Sequence, residues 1–267
     1  MYGAILGDIV GSVYEFHHIK TKEFPFLTPQ NRFTDDTVMT VAVADAIVHA
    51  DRDGVIRDVS AFQKQLCSSM HQWGRRFWTA GYGQKFMMWL FRRSEEPYHS
   101  YGNGAAMRVS PIAWYGDSLE SVCTLAQASA AVTHDHPEGI KGAVCVAGAV
   151  FLARNGANKE EIRQFTSRYY DIAFTLADIR PTYRHDESCQ GSVPQALQAF
   201  FEAEHFEDAI RNAVSIGGDS DTIAAITGSV AEAFYGIPQY LTEQIPHYLD
   251  PALARAANDF AQKYMHS

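Results

Sequence analysis

The sequence predicts an all-α fold, arranged as a single compact domain of many helices. Four long segments are rich in alanine and other apolar residues and show helical periodicity, namely 35–50, 118–134, 137–156 and 221–236. None of them alternates between apolar and polar residues, as a half-buried strand would. Helix-starting and helix-stopping residues bound these segments, with Pro137 in a first turn and Gly156 and Gly236 after last turns. No linker divides the chain, so we expect one domain over residues 1–267.

The other predicted elements follow in chain order. The stretch MYGAILGDIVGSVYEF (1–16) is apolar but carries Asp8 early and has no basic leader, so we expect a folded first helix and not a signal peptide. Helices with one polar face are predicted within 58–73, 158–170, 193–214 and 251–265. Three segments do not show helical periodicity, and long loops of this kind are often functional: 17–33, 92–104 and 176–192.

Composition and charge exclude several classes of protein. Hydrophobic residues make up 46% and charged residues 20% of the chain, and no apolar run is long enough to span a bilayer, so we expect a cytoplasmic protein with no membrane partner. A net charge of −9 argues against a basic nucleic-acid-binding surface. No partner-binding surface is evident, and a monomer is expected. The cysteines form no CxxC pair, which favours reduced, buried thiols at Cys67, Cys123, Cys145 and Cys189.

Two acidic clusters stand at the entrances of two strongly apolar helices. They are Thr34-Asp35-Asp36 and Asp219-x-Asp221-Thr222, the second preceded by Gly217 and Gly218. Helix capping would explain either cluster alone. If the two helix entrances lie close together, however, four carboxylates meet and repel one another. Two divalent cations would cancel that repulsion.

The candidate ligands are all oxygens, from carboxylates and from the hydroxyls of Thr34 and Thr222. Such a set suits Mg²⁺, Mn²⁺ or Ca²⁺ and is a poor match for structural zinc, which prefers Cys and His. The two glycines would allow the backbone to approach an ion or its ligand without a Cβ in the way. The sequence therefore predicts a binuclear site for hard cations.

Two further stretches are candidate ligand contacts. The loop Ser100-Tyr101-Gly102-Asn103-Gly104 could direct backbone N–H groups at a phosphate, with the tyrosine stacked on a base, although a turn capped by Asn103 explains it equally well. In THDHP, His134 is either a residue facing the site or a plain helix C-cap. The His-Asp pair also leaves open a metal phosphohydrolase of the HD type.

Five ordered motifs carry a resemblance to a known family. GDIVGSVYEF, FTDDT, YGNGAAMRV, THDHP and IGGDSDTIAAITGSVAEAFYG resemble the ADP-ribosylglycohydrolases, the family of the dinitrogenase-reductase-activating glycohydrolase. The similarity extends from Gly3 to about Pro238. It implies an all-α domain with a binuclear Mg²⁺ or Mn²⁺ centre that hydrolyses the bond between ADP-ribose and a modified group.

The resemblance also implies roles for particular residues. The implied metal ligands are Thr34, Asp35, Asp36, Asp219, Asp221 and Thr222. The implied contacts to ADP-ribose are Ser100, Tyr101, Gly102, Asn103, Gly104 and His134, with Gly217 and Gly218 beside the ions. GDIVGSVYE is similar to the branch of serine-ADP-ribosyl hydrolases, in which a glutamate after this segment is catalytic, and that residue would be Glu15. Asp36 would share its acid–base role.

The implied substrate is an ADP-ribosylated protein or another ADP-ribose conjugate, with a serine linkage favoured. Arginine-linked, O-acetyl and nucleic-acid-linked ADP-ribose are the alternatives within the enzymes. A protein that has lost its chemistry and only binds ADP-ribose is the alternative from another class. Against that alternative, the six implied ligands and Glu15 are all present.

Overall fold

The computed structural model describes residues 1–265 and confirms the all-α fold predicted from the sequence. Residues 266 and 267, which the predicted domain boundary includes, lie outside the described residues. Over residues 1–265 the chain forms α-helices, one 3₁₀ helix at Ile245–His247 and no strand longer than the isolated bridge between Gly102 and Ser188. Within the same range no helix has both the length and the apolar character that a membrane span requires.

The α-helices are Tyr2–Gly11 (α1), Asp35–Arg52 (α2), Val59–Arg76 (α3), Gln84–Arg92 (α4), Gly104–Met107 (α5), Ser110–Tyr115 (α6), Leu119–Ala131 (α7), Pro137–Arg154 (α8), Lys159–Thr166 (α9), Leu176–Ile179 (α10), Cys189–Phe201 (α11), Phe206–Ser215 (α12), Ser220–Tyr235 (α13), Gln239–Thr242 (α14) and Pro251–Tyr264 (α15). The four long predicted helices are confirmed as α2, α7, α8 and α13, with ends shifted by a few residues. Helices α4, α10 and α14 were not predicted, and α10 lies in the segment 176–192, which shows no helical periodicity in the sequence.

Turns divide two stretches of the chain into separate helices. The segment 193–214 is divided between α11 and α12, because the chain turns after Phe201 and His205 then caps α12 by accepting a hydrogen bond from the Asp208 N–H. The run after Asn103 forms two short helices, α5 and α6. Pro111 lies in the first turn of α6, where its missing N–H is tolerated, but it could not continue a hydrogen-bonded helix from α5.

Helix α13 is the centre of the domain, as its apolar composition predicts. It is buried from Ser220 to Glu232 and packs against α1, α5, α8, α11 and α12. Helix α2 lies beside α1 and is covered on its other sides by α3, α6 and α15. The amino-terminal ends of α2 and α13, which carry the two acidic clusters, therefore both lie next to α1.

Glycines at four-residue spacing bring α1 into backbone contact with α13. A Cβ on Gly3 would lie 2.1 Å from the carbonyl oxygen of Gly228, and a Cβ on Gly7 would lie 2.1 Å from that of Ala224. A Cβ on Gly11 would lie 2.4 Å from the Cα of Asp221. No side chain fits in these gaps, so the three glycines set how closely the helix carrying Asp8 approaches the helix carrying Asp221.

Gly7→Ala is therefore expected to destabilise the protein by about 2 kcal/mol or more. The added methyl group overpacks a backbone contact, and this cost exceeds the gain of up to about 1 kcal/mol in helix propensity. The free energy of unfolding from a urea titration measures the effect. Gly83→Ala is the control, because a Cβ there meets no atom within 4 Å, and its cost should stay below about 1 kcal/mol. Equal stability of Gly7→Ala and the wild type would contradict the assigned packing.

Candidate metal centre and ligand cavity

Three helices bring carboxylates together at one point. Asp8 of α1, Asp36 of α2 and Asp221 of α13 each offer an oxygen within 4.8 Å of the others, and all three side chains are buried. Glu15, Asp219 and Asp221 form a second group with the same spacing. Asp221 belongs to both groups, so the predicted meeting of the two acidic clusters is found, with two further acids added to it.

Among the clustered carboxylates, Asp8 is the one that the sequence analysis missed. It accepts hydrogen bonds from the Thr34 N–H at 2.9 Å, the Thr34 hydroxyl at 2.7 Å and the Thr37 N–H at 3.1 Å, and also from the Thr37 hydroxyl. These bonds tie α1 to the first turn of α2. A charged residue inside an otherwise apolar helix was the available signal, because a buried charge requires partners.

Glu15 lies in the turns that follow α1, where its side chain is half-buried against Asp221. Asp219 accepts a hydrogen bond from the side-chain amide of Asn103 at 2.6 Å, which links the second acidic cluster to the predicted ligand loop. Asp35 is partly exposed at the cavity wall and belongs to neither three-carboxylate group.

Burial and mutual repulsion disfavour the ionised form of these acids. Burial raises the pKa of Asp36 well above its usual range, and the charges of Asp8 and Asp221 raise it further. Burial also raises the pKa of Asp221, with added repulsion from Asp219 and Asp8. The pKa of Asp219 is raised to about 7, chiefly by burial, and that of Glu15 to about 8, by burial and then by Asp221. The cluster therefore lacks the positive charge that would balance it.

No cationic side chain of residues 1–265 is paired with these acids, although Lys85 and Arg108 line the same cavity. The Oδ1 atom of Asp36 is buried and has no hydrogen-bond partner in the described chain, although Oδ2 accepts from the Thr222 hydroxyl at 3.1 Å. A buried, unpartnered carboxylate oxygen among other carboxylates is the donor arrangement that a hard cation requires. The residues present fit a metal centre.

A cavity of about 290 Å³ opens beside the carboxylates. Thr222 and all of the site carboxylates except Asp8 line one part of it. Residues of the predicted ligand loop line another part: Ser100, Gly102, Asn103 and Gly104, together with His134. His134 follows α7 and is buried, and a Cβ on Gly104 would lie 3.2 Å from its Nε2 atom. The loop and the acidic clusters, distant in sequence, therefore face one space.

Four predicted site residues lie outside the cavity lining found in the described chain. Thr34 caps α2 and donates to Asp8, behind the carboxylates. The Tyr101 ring is 52% exposed and contacts His136 with ring centroids 5.5 Å apart. Gly217 and Gly218 both have positive φ, and the Gly218 N–H donates to His18 Nδ1 at 2.8 Å. The positive φ values explain why glycine occupies both positions of the turn that precedes α13. That these glycines lie beside bound ions remains a prediction.

The fold is all-α, and its cluster of buried carboxylates beside a cavity fits the metal site of a hydrolytic enzyme. The chain belongs to the ADP-ribosylglycohydrolase family, whose model matches residues 1–267. The resemblance drawn from the sequence motifs is thus confirmed.

Relatives of this chain have been named as hydrolases of ADP-ribose linkages. It is 27% identical to ADP-ribosylhydrolase ARH3 of Homo sapiens, over 89% of this chain and 84% of that one. It is 25% identical to ADP-ribosylarginine hydrolase Tri1 of Pseudomonas putida (strain GB-1), over 89% and 70%. A solved structure, "ADP-ribosylglycohydrolase-related protein complex", superposes with a TM-score of 0.66 at 23% identity, covering 97% of this chain and 96% of that chain. This structural likeness supports the fold.

Proposed function

We propose that the protein hydrolyses the glycosidic bond between ADP-ribose and a modified acceptor and releases ADP-ribose, with two divalent cations, Mg²⁺ or Mn²⁺. The observation that carries the proposal is the shared cavity, where clustered carboxylates and a glycine-containing loop face the same space. The family and the named relatives support the same reaction.

Asp8, Asp36 and Asp221 would hold one cation, and Glu15, Asp219 and Asp221 would contribute to the other. Thr34, Asp35 and Thr222 are the further ligands that the family resemblance implies. Bound cations of this kind polarise substrate oxygens and lower the pKa of a water molecule. They would also reverse the local field, so that an anionic ligand can bind to a chain with a net charge of −9.

The remaining roles belong to the protein's own side chains. The Ser100–Gly104 loop and His134 would bind the diphosphate and adenosine part of ADP-ribose and fix the distal ribose next to the carboxylates. Glu15 would transfer a proton to or from the reacting oxygens, a role that Asp36 would share. The surrounding carboxylates would stabilise the positive charge that an oxocarbenium-like ribose develops during cleavage.

A serine linkage is the favoured acceptor, because GDIVGSVYE resembles the serine-specific branch. Arginine is the second candidate, because the relative Tri1 is named as an ADP-ribosylarginine hydrolase. A cytoplasmic location and a monomeric state remain predictions from the sequence.

The test is release of free ADP-ribose from two matched peptides, one modified on serine and one on arginine, in Mg²⁺ and again after chelation. Release from one peptide that requires the metal would support the reaction and identify its acceptor. If neither peptide releases ADP-ribose while ADP-ribose still binds, the serine and arginine assignments both fail, and the result points to another acceptor or to a protein that only binds ADP-ribose.

Divalent cations should also stabilise the folded protein. At Mg²⁺ or Mn²⁺ concentrations about 100 times the dissociation constant, the free energy of unfolding should rise by about 2.7 kcal/mol for each site that binds only the folded state. Thermal unfolding in chelator and in each metal measures this increase. A melting temperature unchanged by both metals would contradict the assigned centre.

A further inference from the structure

Arg108 is the largest fully buried side chain of the described chain and has no acidic partner. Its side chain is 1% exposed. It donates to the Ser129 carbonyl oxygen at 3.3 Å and to the Thr133 hydroxyl at 2.9 Å, and its Nε has no partner in the described chain. The groups that favour its charge are Tyr98 and two cysteines, and no carboxylate of residues 1–265 forms an ion pair with it. A buried charge without an ionic partner lowers the stability of the folded state, and fully buried arginines are rarely unpaired in protein cores. Such a residue is therefore a candidate for a functional role.

Arg108 itself lines the cavity, and the Thr133 hydroxyl that accepts from it leads to a second group there, His134. The Thr133 hydroxyl oxygen that accepts from Arg108 lies 2.7 Å from Nδ1 of His134. The other ring nitrogen, Nε2, lies against the ligand loop, 3.2 Å from where a Cβ on Gly104 would be and 3.6 Å from where one on Gly102 would be. Arg108, Thr133 and His134 therefore form a chain of hydrogen-bonding groups that ends at the cavity.

We propose that Arg108, acting through Thr133, is a positioning residue that holds His134 as the neutral tautomer with its proton on Nε2, directed at the bound ligand. The proposal rests on the function proposed above for the cavity. It adds an explanation of which His134 tautomer is present to bind an anionic group.

The charge of Arg108 favours this tautomer. Arg108 can only donate, so it occupies one lone pair of the Thr133 hydroxyl. The hydroxyl proton can then donate to a bare Nδ1, or the second lone pair can accept from a protonated Nδ1, and the guanidinium charge decides between these two arrangements. A bare Nδ1 directs the negative end of the ring dipole at the guanidinium, whereas a proton on Nδ1 would direct the positive end at it. In a buried site that charge–dipole term is weakly screened.

The charge of Arg108 also disfavours protonation of the His134 ring to its charged form. Burial holds the pKa of His134 well below its usual range, and the Arg108 charge lowers it further. A neutral ring has only one N–H, so the tautomer decides whether the cavity receives a hydrogen-bond donor or a bare acceptor. An acceptor would repel the diphosphate of ADP-ribose, and a donor would bind it.

The test uses the full chain and two variants of nearly equal size. Thr133→Val keeps the shape of the side chain but removes the hydroxyl, and Thr133→Ser keeps the hydroxyl. Ring ¹⁵N signals distinguish protonated from bare histidine nitrogens, and comparison with His134→Gln assigns the His134 signals. Calorimetric titration with ADP-ribose gives the affinity. We expect Nε2–H in the wild type and in Thr133→Ser. In Thr133→Val we expect a mixture of tautomers and roughly tenfold weaker ADP-ribose binding.

A folded Thr133→Val protein that retains Nε2–H and the wild-type affinity would overturn the proposal. So would a proton on Nδ1 in the wild type. Arg108→Met should shift the tautomers in the same direction as Thr133→Val. If Arg108→Met does not fold, the comparison of Thr133→Val with Thr133→Ser still tests the proposal. The ring signals do not depend on catalysis. If the wild type binds no ADP-ribose, the proposed function fails, while the tautomer measurement remains decisive for the positioning role.

Discussion

Replacing Glu15 by Gln is expected to lower turnover about 10²–10⁴-fold, which is the range that general acid–base catalysis contributes. Glutamine has the same shape and can still hydrogen-bond to Asp221, but it cannot give up or accept a proton at the reacting oxygens. Because the side-chain oxygen of glutamine can still contribute to the second cation and the cavity keeps its shape, ADP-ribose affinity should stay within about threefold of the wild type, a difference of under 1 kcal/mol. The measurements are kcat on the hydrolysed peptide and the Kd for ADP-ribose.

Glu23→Gln provides the control for this experiment. Glu23 belongs to the same loop and carries the same charge, but its side chain is exposed and it does not line the cavity within the described chain. Its replacement should leave kcat and Kd near the wild-type values. Turnover by Glu15→Gln equal to that of Glu23→Gln would remove Glu15 from the mechanism and leave the proton transfer to one of the aspartates.

The helices were predictable because their signals are local. Thr34 caps α2, Ser118 caps α7 and Pro137 opens α8, each at the position that the sequence indicates. Helix α4 was missed because its aromatic, apolar sequence QKFMMWLF carries weak boundary signals, with Gly83 as its only start residue. Its place is set by packing against the rest of the domain, which short-range patterns do not report.

The candidate site was predictable only in part, for a physical reason. Two acidic helix entrances suggested a cation site, and the structure brings both of them to one cavity. The part played by Asp8 depends on how closely α1 approaches α13, which the glycine contacts decide in three dimensions. Glu15 could be recognised only through the family resemblance, since an acid in the turns after a helix is usually a surface residue.

Asp36→Asn is expected to have opposite effects on stability with and without metal. In chelator, the variant should be more stable than the wild type by about 0.5–2 kcal/mol, because it removes one of several carboxylates that repel one another in a buried site. The amide oxygen can still accept from the Thr222 hydroxyl, and the amide nitrogen can donate to the carboxylate of Asp8 or Asp221. Unfolding in chelator by urea measures this gain.

In Mg²⁺ or Mn²⁺ the order should reverse. The wild type gains the cation-binding free energy, whereas the variant has lost a charged ligand and should be stabilised much less. Turnover of Asp36→Asn should fall about 10³-fold or more, because a cation contributes several kcal/mol to the stabilisation of the transition state and each 1.4 kcal/mol is tenfold in rate.

Asp53→Asn tests whether these effects depend on position or only on charge. Asp53 carries the same charge at the opposite end of α2, where it is exposed and paired with Arg52. Its removal should change stability by less than about 1 kcal/mol, with and without metal, and should leave turnover near the wild-type rate. If Asp36→Asn is less stable than the wild type in chelator, its carboxylate stabilises the fold without a cation. That result would make Asp36 a structural cap of α2 and would remove the strongest support for a metal centre at these helix ends.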